Sequence, residues 1–214
     1  MFITFEGIEG SGKTRALNQI CAALSEESVS FVSTHEPGGS SVGRALRPLL
    51  LHKTHPLSPE AELFMFLADR AQHVSKIIRP ALESGDVVLC DRYADSTLAY
   101  QGYGRGMSMD TLLRLNQLAT GGLWPDLTLI LDLEVEEGLR RAFTRNADRD
   151  GMSSEDARFE TEPLEFHRRV RDGYLKLAEQ DPQRCRVVNA ALAPEVVDEQ
   201  ITDILADRFS LNLA

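Results

Sequence analysis

The chain has 214 residues, 43% of them hydrophobic, and carries 23 lysines and arginines against 33 aspartates and glutamates, for a net charge of −10. That length suits one domain with a buried core, and the acidic balance excludes a general nucleic-acid or anionic-membrane binder, since both need basic faces. No apolar run approaches the ~20 residues of a membrane span, no signal peptide is visible, and Cys21, Cys90 and Cys185 are too scattered for a metal site and read as reduced thiols of a cytoplasmic protein.

In chain order, Met1–Phe5 is short, apolar and β-prone. Gly7–Gly12 is a loop. Lys13–Ser25 places Leu17, Ile20, Cys21 and Leu24 at helical spacing. Val29–Ser33 is predicted as a second strand, His35–Ser41 as a loop and Val42–Leu51 as a helix. Ser58 and Pro59 supply an N-cap and a first helical residue for a helix running toward Gly85. Asp86–Cys90 is a buried strand ending at Asp91. Arg92–Gly106 is predicted as a long loop with a helical turn, and Met109–Ala119 as a helix stopped by Gly121 and Gly122. Leu127–Leu133 is a buried strand and Val135–Arg145 a helix. Residues 146–160 are polar, without apolar period, and read as a mobile loop. Glu162–Glu179 is a helix, Arg184–Ala190 a strand and Pro194–Phe209 a helix. The alternation predicts an α/β fold in one domain over residues 1–214, with a five-stranded parallel sheet and helices on both faces.

Gly7-Ile8-Glu9-Gly10-Ser11-Gly12-Lys13-Thr14 matches G-x-x-x-x-G-K-[ST] in full, between a strand and a helix. Such glycines turn backbone N–H groups toward phosphates, and the helix adds its positive end. Lys13 is expected to reach the β- and γ-phosphates of ATP, and Thr14 to ligate Mg²⁺. A guanine-reading N-K-x-D segment is absent, so a kinase acting on a small molecule leads over a GTPase. Asp91 and Arg92 end a buried strand at the edge where open α/β sheets bind ligands. Asp91 suits a metal or an acceptor phosphate, and Arg92 the transferring phosphoryl group. A structural salt bridge at the sheet edge is the alternative for this pair.

With "FEGIEGSGKT", "EPGG" at 36–39, "FLADRAQHV" at 66–74 and "DRYADSTLAYQGYGRG" at 91–106, the chain resembles the thymidylate kinase family over nearly its whole length. The resemblance implies transfer of the ATP γ-phosphoryl group to dTMP on a P-loop NTPase fold, with Mg²⁺, in a homodimer. It implies that Arg47 binds the acceptor phosphate, Phe66 stacks on thymine and Arg70 donates to its O4. Thr97 and Gln101 flank the base, Pro37 lies by the 5-methyl group, and Tyr100 packs against the deoxyribose. Glu9 contacts the sugar or the hydrated metal. Position 10 is Gly, where some members carry a catalytic Arg, so the cation is expected on a lid at about 145–160, from Arg149 or Arg158. Ala157 replaces the usual Asp before Arg158, His35 stands for an Arg, and Arg44 stands for an acid. The long helix around Phe64–Val74 is a candidate dimer interface or simply core. Two other readings stay open: another nucleotide or deoxynucleoside kinase, and a non-catalytic ATP-binding module.

Overall fold

Each central strand sends alternate side chains to opposite faces of one sheet. On β1 (Phe2–Glu6), β3 (Val87–Asp91) and β4 (Leu127–Asp132), the residues Ile3, Phe5, Leu89, Leu127, Leu129 and Leu131 pack into one buried cluster with α1 (Lys13–Glu26) and α9 (Pro194–Phe209). Phe2, Val88, Cys90 and Ile130 enter the opposite face, under the helices of residues 59–104 and α8 (Leu164–Gln180). With both faces covered, strands that read as continuous apolar runs are what burial requires. The computed structural model describes residues 1–52, 56–148 and 158–209.

All strand pairs are parallel, in the order β2-β3-β1-β4-β5, where β2 is Phe31–His35 and β5 is Cys185–Asn189. The chain winds outward to β2 and β3 on one side of β1, then crosses to β4 and β5 on the other. The reversal opens a crevice at the C-terminal ends of β1 and β3, the place where such sheets take ligands. The predicted second strand is shifted: it begins at Phe31, because its register is set by pairing Phe31 with Val87 and His35 with Asp91, not by local apolarity.

The remaining elements are α2 (Ser41–Leu51), α3 (Pro59–His73), α4 (Arg79–Glu83), α5 (Ala94–Thr97), α6 (Met109–Thr120) and α7 (Val135–Asp148). Ser58 caps α3 by accepting from the Ala61 N–H at 3.2 Å, and Gly121 ends α6 in the left-handed region at φ 59, both as predicted. The helix expected to run to Gly85 is α3, a π-helical turn at Val74–Ile78, and α4. Pro80 sits in the first turn of α4 and has no N–H to donate to the preceding turn. α7 runs three residues beyond its predicted end.

The largest departure concerns Arg92–Gly106. From Ala94 to Gly104 it is not a loop with one turn but a continuous helical segment, α5 followed by a π-helix over Leu98–Gly104. Its residues Ala94, Asp95, Leu98, Ala99, Tyr100, Gln101 and Gly102 are all buried. A helix buried on every side has no amphipathic period to read. No helix among the described residues is long and apolar enough to cross a membrane.

Leu89 lies fully buried at the centre of this arrangement. Leu89→Ala is expected to lower the unfolding free energy by about 2–5 kcal/mol, from lost burial plus the cavity left behind. Equilibrium urea denaturation measures it; a loss well under that range would mean that the sheet centre collapses around the gap.

Candidate active site

The loop between β1 and α1 is held open by backbone conformations that only glycine takes readily. Gly7, Gly10 and Gly12 have φ of 137, 72 and 92. Gly10 is also pressed against the first turn of α7: a Cβ there would lie 2.0 Å from the Gly138 carbonyl oxygen, and a Cβ on Gly138 would lie 2.6 Å from the Glu9 oxygen. An arginine at position 10 is therefore excluded in this chain by the first turn of α7.

Inside the loop, Lys13 curls back on its own backbone. Its ammonium donates to the Gly7 and Ile8 carbonyls at 3.0 and 2.7 Å and to Ser11 Oγ at 3.3 Å. Burial and the neighbouring Arg92 lower its pKa to about 8. Beside it the Thr14 hydroxyl donates to Asp91 Oδ2 at 2.6 Å. Parallel pairing of Phe5 with Asp91 brings these two residues together from positions 77 apart.

Arg92, the next residue, holds φ 72, a conformation uncommon outside glycine. Its N–H donates to the Phe5 carbonyl at 3.0 Å. Its guanidinium donates to the Gly7 carbonyl at 2.8 Å and to Glu9 Oε1 at 3.2 Å, and it sits 5.1 Å over the Tyr100 ring. Burial works against that charge, but Tyr100, Tyr174 and Glu9 hold the guanidinium firmly protonated. Glu9 Oε1 also accepts from the Tyr100 hydroxyl at 2.5 Å, and His167 Nδ1 lies 3.4 Å from Glu9 Oε2. Burial alone would raise the Glu9 pKa; His167, Arg92, Lys13 and Tyr100 together outweigh it and keep the carboxylate ionised.

A cavity of about 570 Å³ opens over these groups. Lys13, Thr14, Asp91 and Arg92 line it, as do Pro37, Arg47, Phe66, Arg70, Thr97, Tyr100 and Gln101. Arg47 donates to the Pro37 carbonyl at 2.6 Å. Arg70 is 1% exposed and rigidly held. It donates to Glu36 at 2.8 Å, Thr97 Oγ1 at 2.6 Å, Asn116 Oδ1 at 2.7 Å and the Tyr93 carbonyl at 2.9 Å. Those four bonds leave one of its five N–H groups, on Nη2, for the cleft. Glu36 is braced from behind by His73 at 2.9 Å.

Some predicted residues lie elsewhere. Arg149 is outside the described residues. Arg158 is not among the cleft residues: its guanidinium donates to the Leu50 carbonyl at 2.8 Å and pairs with the buried carboxylate of Glu62. Sequence reasoning left out Phe159 and Glu160, which follow Arg158 and do line the cleft. Phe159 stands edge-on to Tyr100 at 5.4 Å and tilted against Phe66 at 6.1 Å, closing an aromatic wall. Arg145, which α7 carries into the cleft, lies 3.8 Å from Glu160. Of the two unusual residues, His35 lines the cavity, whereas Arg44 is exposed away from it.

The comparisons with known proteins agree on one family. The model of the family "Thymidylate kinase" matches residues 5–201. A thymidylate kinase of Nitratidesulfovibrio vulgaris (strain DSM 19637 / Miyazaki F) is 57% identical over 202 residues, covering 94% of each chain. One from Oleidesulfovibrio alaskensis is 53% identical over 212 residues, 99% of this chain and 100% of that one. Among solved structures, the crystal structure of thymidylate kinase from Ehrlichia chaffeensis superposes with a TM-score of 0.76 at 35% identity, covering 96% of this chain and 98% of that one.

The depressed Lys13 pKa gives the phosphate loop a measurable signature. With a pKa of about 8, Lys13 is about half protonated at pH 8. A bound triphosphate surrounds it with anionic oxygens and raises that pKa, so binding takes up about half a proton at pH 8 and less at pH 7. Titration calorimetry in buffers of different ionisation enthalpy reads the uptake, and heats independent of buffer would mean that Lys13 either is fully protonated before binding or does not meet the phosphates.

Proposed function

The chain belongs to the thymidylate kinase family, and from that premise we infer how its cleft carries the reaction. The enzyme is an ATP-dependent kinase that phosphorylates dTMP to dTDP, a step toward dTTP. The observation that supports the residue assignment is that Lys13, Thr14, Arg92, Phe66, Arg70 and Gln101 all line one cavity.

In this reading the N–H groups of Gly7–Thr14 and the end of α1 cradle the ATP phosphates. Lys13 leaves the Gly7 and Ile8 carbonyls for the β- and γ-phosphates. Thymine stacks on Phe66, and the remaining N–H of Arg70 donates to its O4. Tyr100, fixed by its bond to Glu9, floors the deoxyribose, and Pro37 lies by the 5-methyl group. Arg47 and Arg92 hold the acceptor phosphate. That phosphate is already an anionic nucleophile, so no general base is needed. One of its oxygens forms a bond to the γ-phosphorus as the bond to the bridging β–γ oxygen breaks, and ADP leaves. Catalysis is then positioning plus relief of repulsion between two anions. Arg145 is the described lid residue best placed to add a cation on the γ-phosphate, and its partner Glu160 restrains it until the phosphate competes.

The site suits Mg²⁺. Thr14 and Asp91 offer hard oxygen donors 2.6 Å apart at the mouth of the loop, and Mg²⁺ commonly uses one or two such groups plus substrate phosphates. When bound, it neutralises charge on the β- and γ-phosphates. A homodimer through α3 is supported by Phe64, which is 59% exposed on that helix. The free thiols of Cys21, Cys90 and Cys185 fit a cytoplasmic location.

ADP production from ATP and Mg²⁺, with dTMP, dUMP, UMP, CMP, AMP and GMP each offered, is expected to favour dTMP strongly. Preference for another monophosphate would overturn the base-pocket assignment, and ATP binding without transfer would leave a sensor. Lys13→Ala is expected to abolish transfer while largely sparing dTMP binding. Arg145→Ala is expected to lower kcat by about a hundredfold or more, the usual loss on removing one charge-stabilising donor. Near-normal turnover of the Arg145 variant would move the lid cation to Arg149.

A further inference from the structure

Behind the base end of the cleft lies a carboxylate that the phosphoryl-transfer chemistry does not use. Glu62 of α3 is 0% exposed. Its Oε1 accepts from Gln101 Nε2 at 2.7 Å and from Arg105 Nε at 2.9 Å. Its Oε2 accepts from Arg105 Nη2 at 2.8 Å and from Arg158 Nη2. Arg105 is tied in turn to Glu162 at 2.8 Å, and Arg158 to the Leu50 carbonyl at 2.8 Å. Burial would raise the Glu62 pKa, but bonds from Arg105 and Gln101 outweigh it and keep the group ionised.

An ionised carboxylate can only accept. Gln101 must therefore turn its NH₂ toward Glu62, which places its amide oxygen on the other side of Cδ. Gln101 is 1% exposed and lines the cleft, so turning its NH₂ to Glu62 makes the amide oxygen available as its acceptor for a ligand there. Arg70, bonded at 2.6 Å to Thr97 four residues before Gln101, offers a donor. An acceptor beside a donor matches N3–H and O4 of thymine or uracil. It opposes cytosine, whose N3 accepts and whose N4 donates.

We propose that Glu62 is a positioning residue for base selection: it fixes the polarity of Gln101, and through it the pocket's preference for thymine over cytosine. This rests on the dTMP reading above. Glu62→Gln makes the logic visible. The new amide has one acceptor where the carboxylate had two, and Arg105 donates on both sides, so its NH₂ opposes a guanidinium N–H in either orientation. Gln101 is then no longer held to one orientation and can present NH₂ to the cleft, where it meets N3 of cytosine and opposes N3–H of thymine.

The test is the ratio of kcat/KM for dTMP to that for dCMP, with thermal unfolding as a check on folding. For Glu62→Gln the ratio is expected to fall by about tenfold or more, with dCMP turnover rising in absolute rate. Glu62→Asp, still acceptor-only, is expected to keep the wild-type ratio even where its rates are lower. Gln101→Met is expected to lose discrimination as Glu62→Gln does, and the double variant to add nothing further. A Glu62→Gln ratio within about twofold of wild type, or equal loss on both substrates, overturns the proposal. If that variant does not fold, a Gln101→Met ratio unchanged from wild type overturns it alone. Wild-type enzyme that prefers another acceptor would instead overturn the dTMP reading, a separate outcome.

Discussion

The pairing of β1 with β3 is the constraint on which the site depends. Both strands are buried on both faces, parallel, and end at the same edge. β1 delivers the phosphate loop and β3 delivers Asp91 and Arg92, so Thr14 meets Asp91 and Arg92 meets Gly7 without any long side chain searching for its partner. The crossover that places β4 on the other side of β1 leaves this edge open. It also brings α7 against the loop, where Gly10 and Gly138 touch backbone to backbone. The phosphate loop and the first turn of α7 thus pack as one unit.

The base end is rigid for a different reason. Arg70, Glu36 and His73 form one buried hydrogen-bonded group, and Glu62 and Gln101 another. Buried charges cost several kcal/mol each in desolvation, on the order of what well-made partners return, so such networks are weak sources of stability. What they provide is direction: each donor and acceptor has one low-energy orientation, because the alternatives leave a charge unpaired. In the reading proposed above, a pocket that reads a base edge needs that property more than it needs affinity. The phosphate loop differs: Lys13 is satisfied by its own loop's carbonyls, and in that reading it exchanges them for the anion passing through.

Residues 158–162 link the two behaviours. Arg158 and Arg105 anchor this segment on Glu62, while Phe159 and Glu160 face the cleft. Arg158, which the family resemblance offered as one of two lid cations, holds Glu62 and the Leu50 carbonyl in this structure, and the adjacent aromatic does the lining. Local sequence does not separate these roles, because consecutive residues in a turn point in different directions and only the surrounding helices say which direction is the cleft.

The sequence by itself determined the elements whose signals are local: the phosphate loop, the Ser58 cap, the Gly121 stop and the apolar strands, and through them the five-stranded parallel sheet. Those features depend on φ, capping and burial period, which a few adjacent residues set. Family resemblance, not spacing, carried Arg47, Phe66, Arg70, Thr97, Tyr100 and Gln101 to one site, and the fold gathers them around one cavity. Only the tertiary structure decided the rest. The segment from Ala94 to Gly104 is helical because its surroundings bury it on all sides. β2 starts where β3 pairs with it. Glu62 meets Gln101, Arg105 and Arg158 across separations of 39 to 96 residues. Contacts of that range are set by how helices pack on the sheet, and no window of sequence contains both partners.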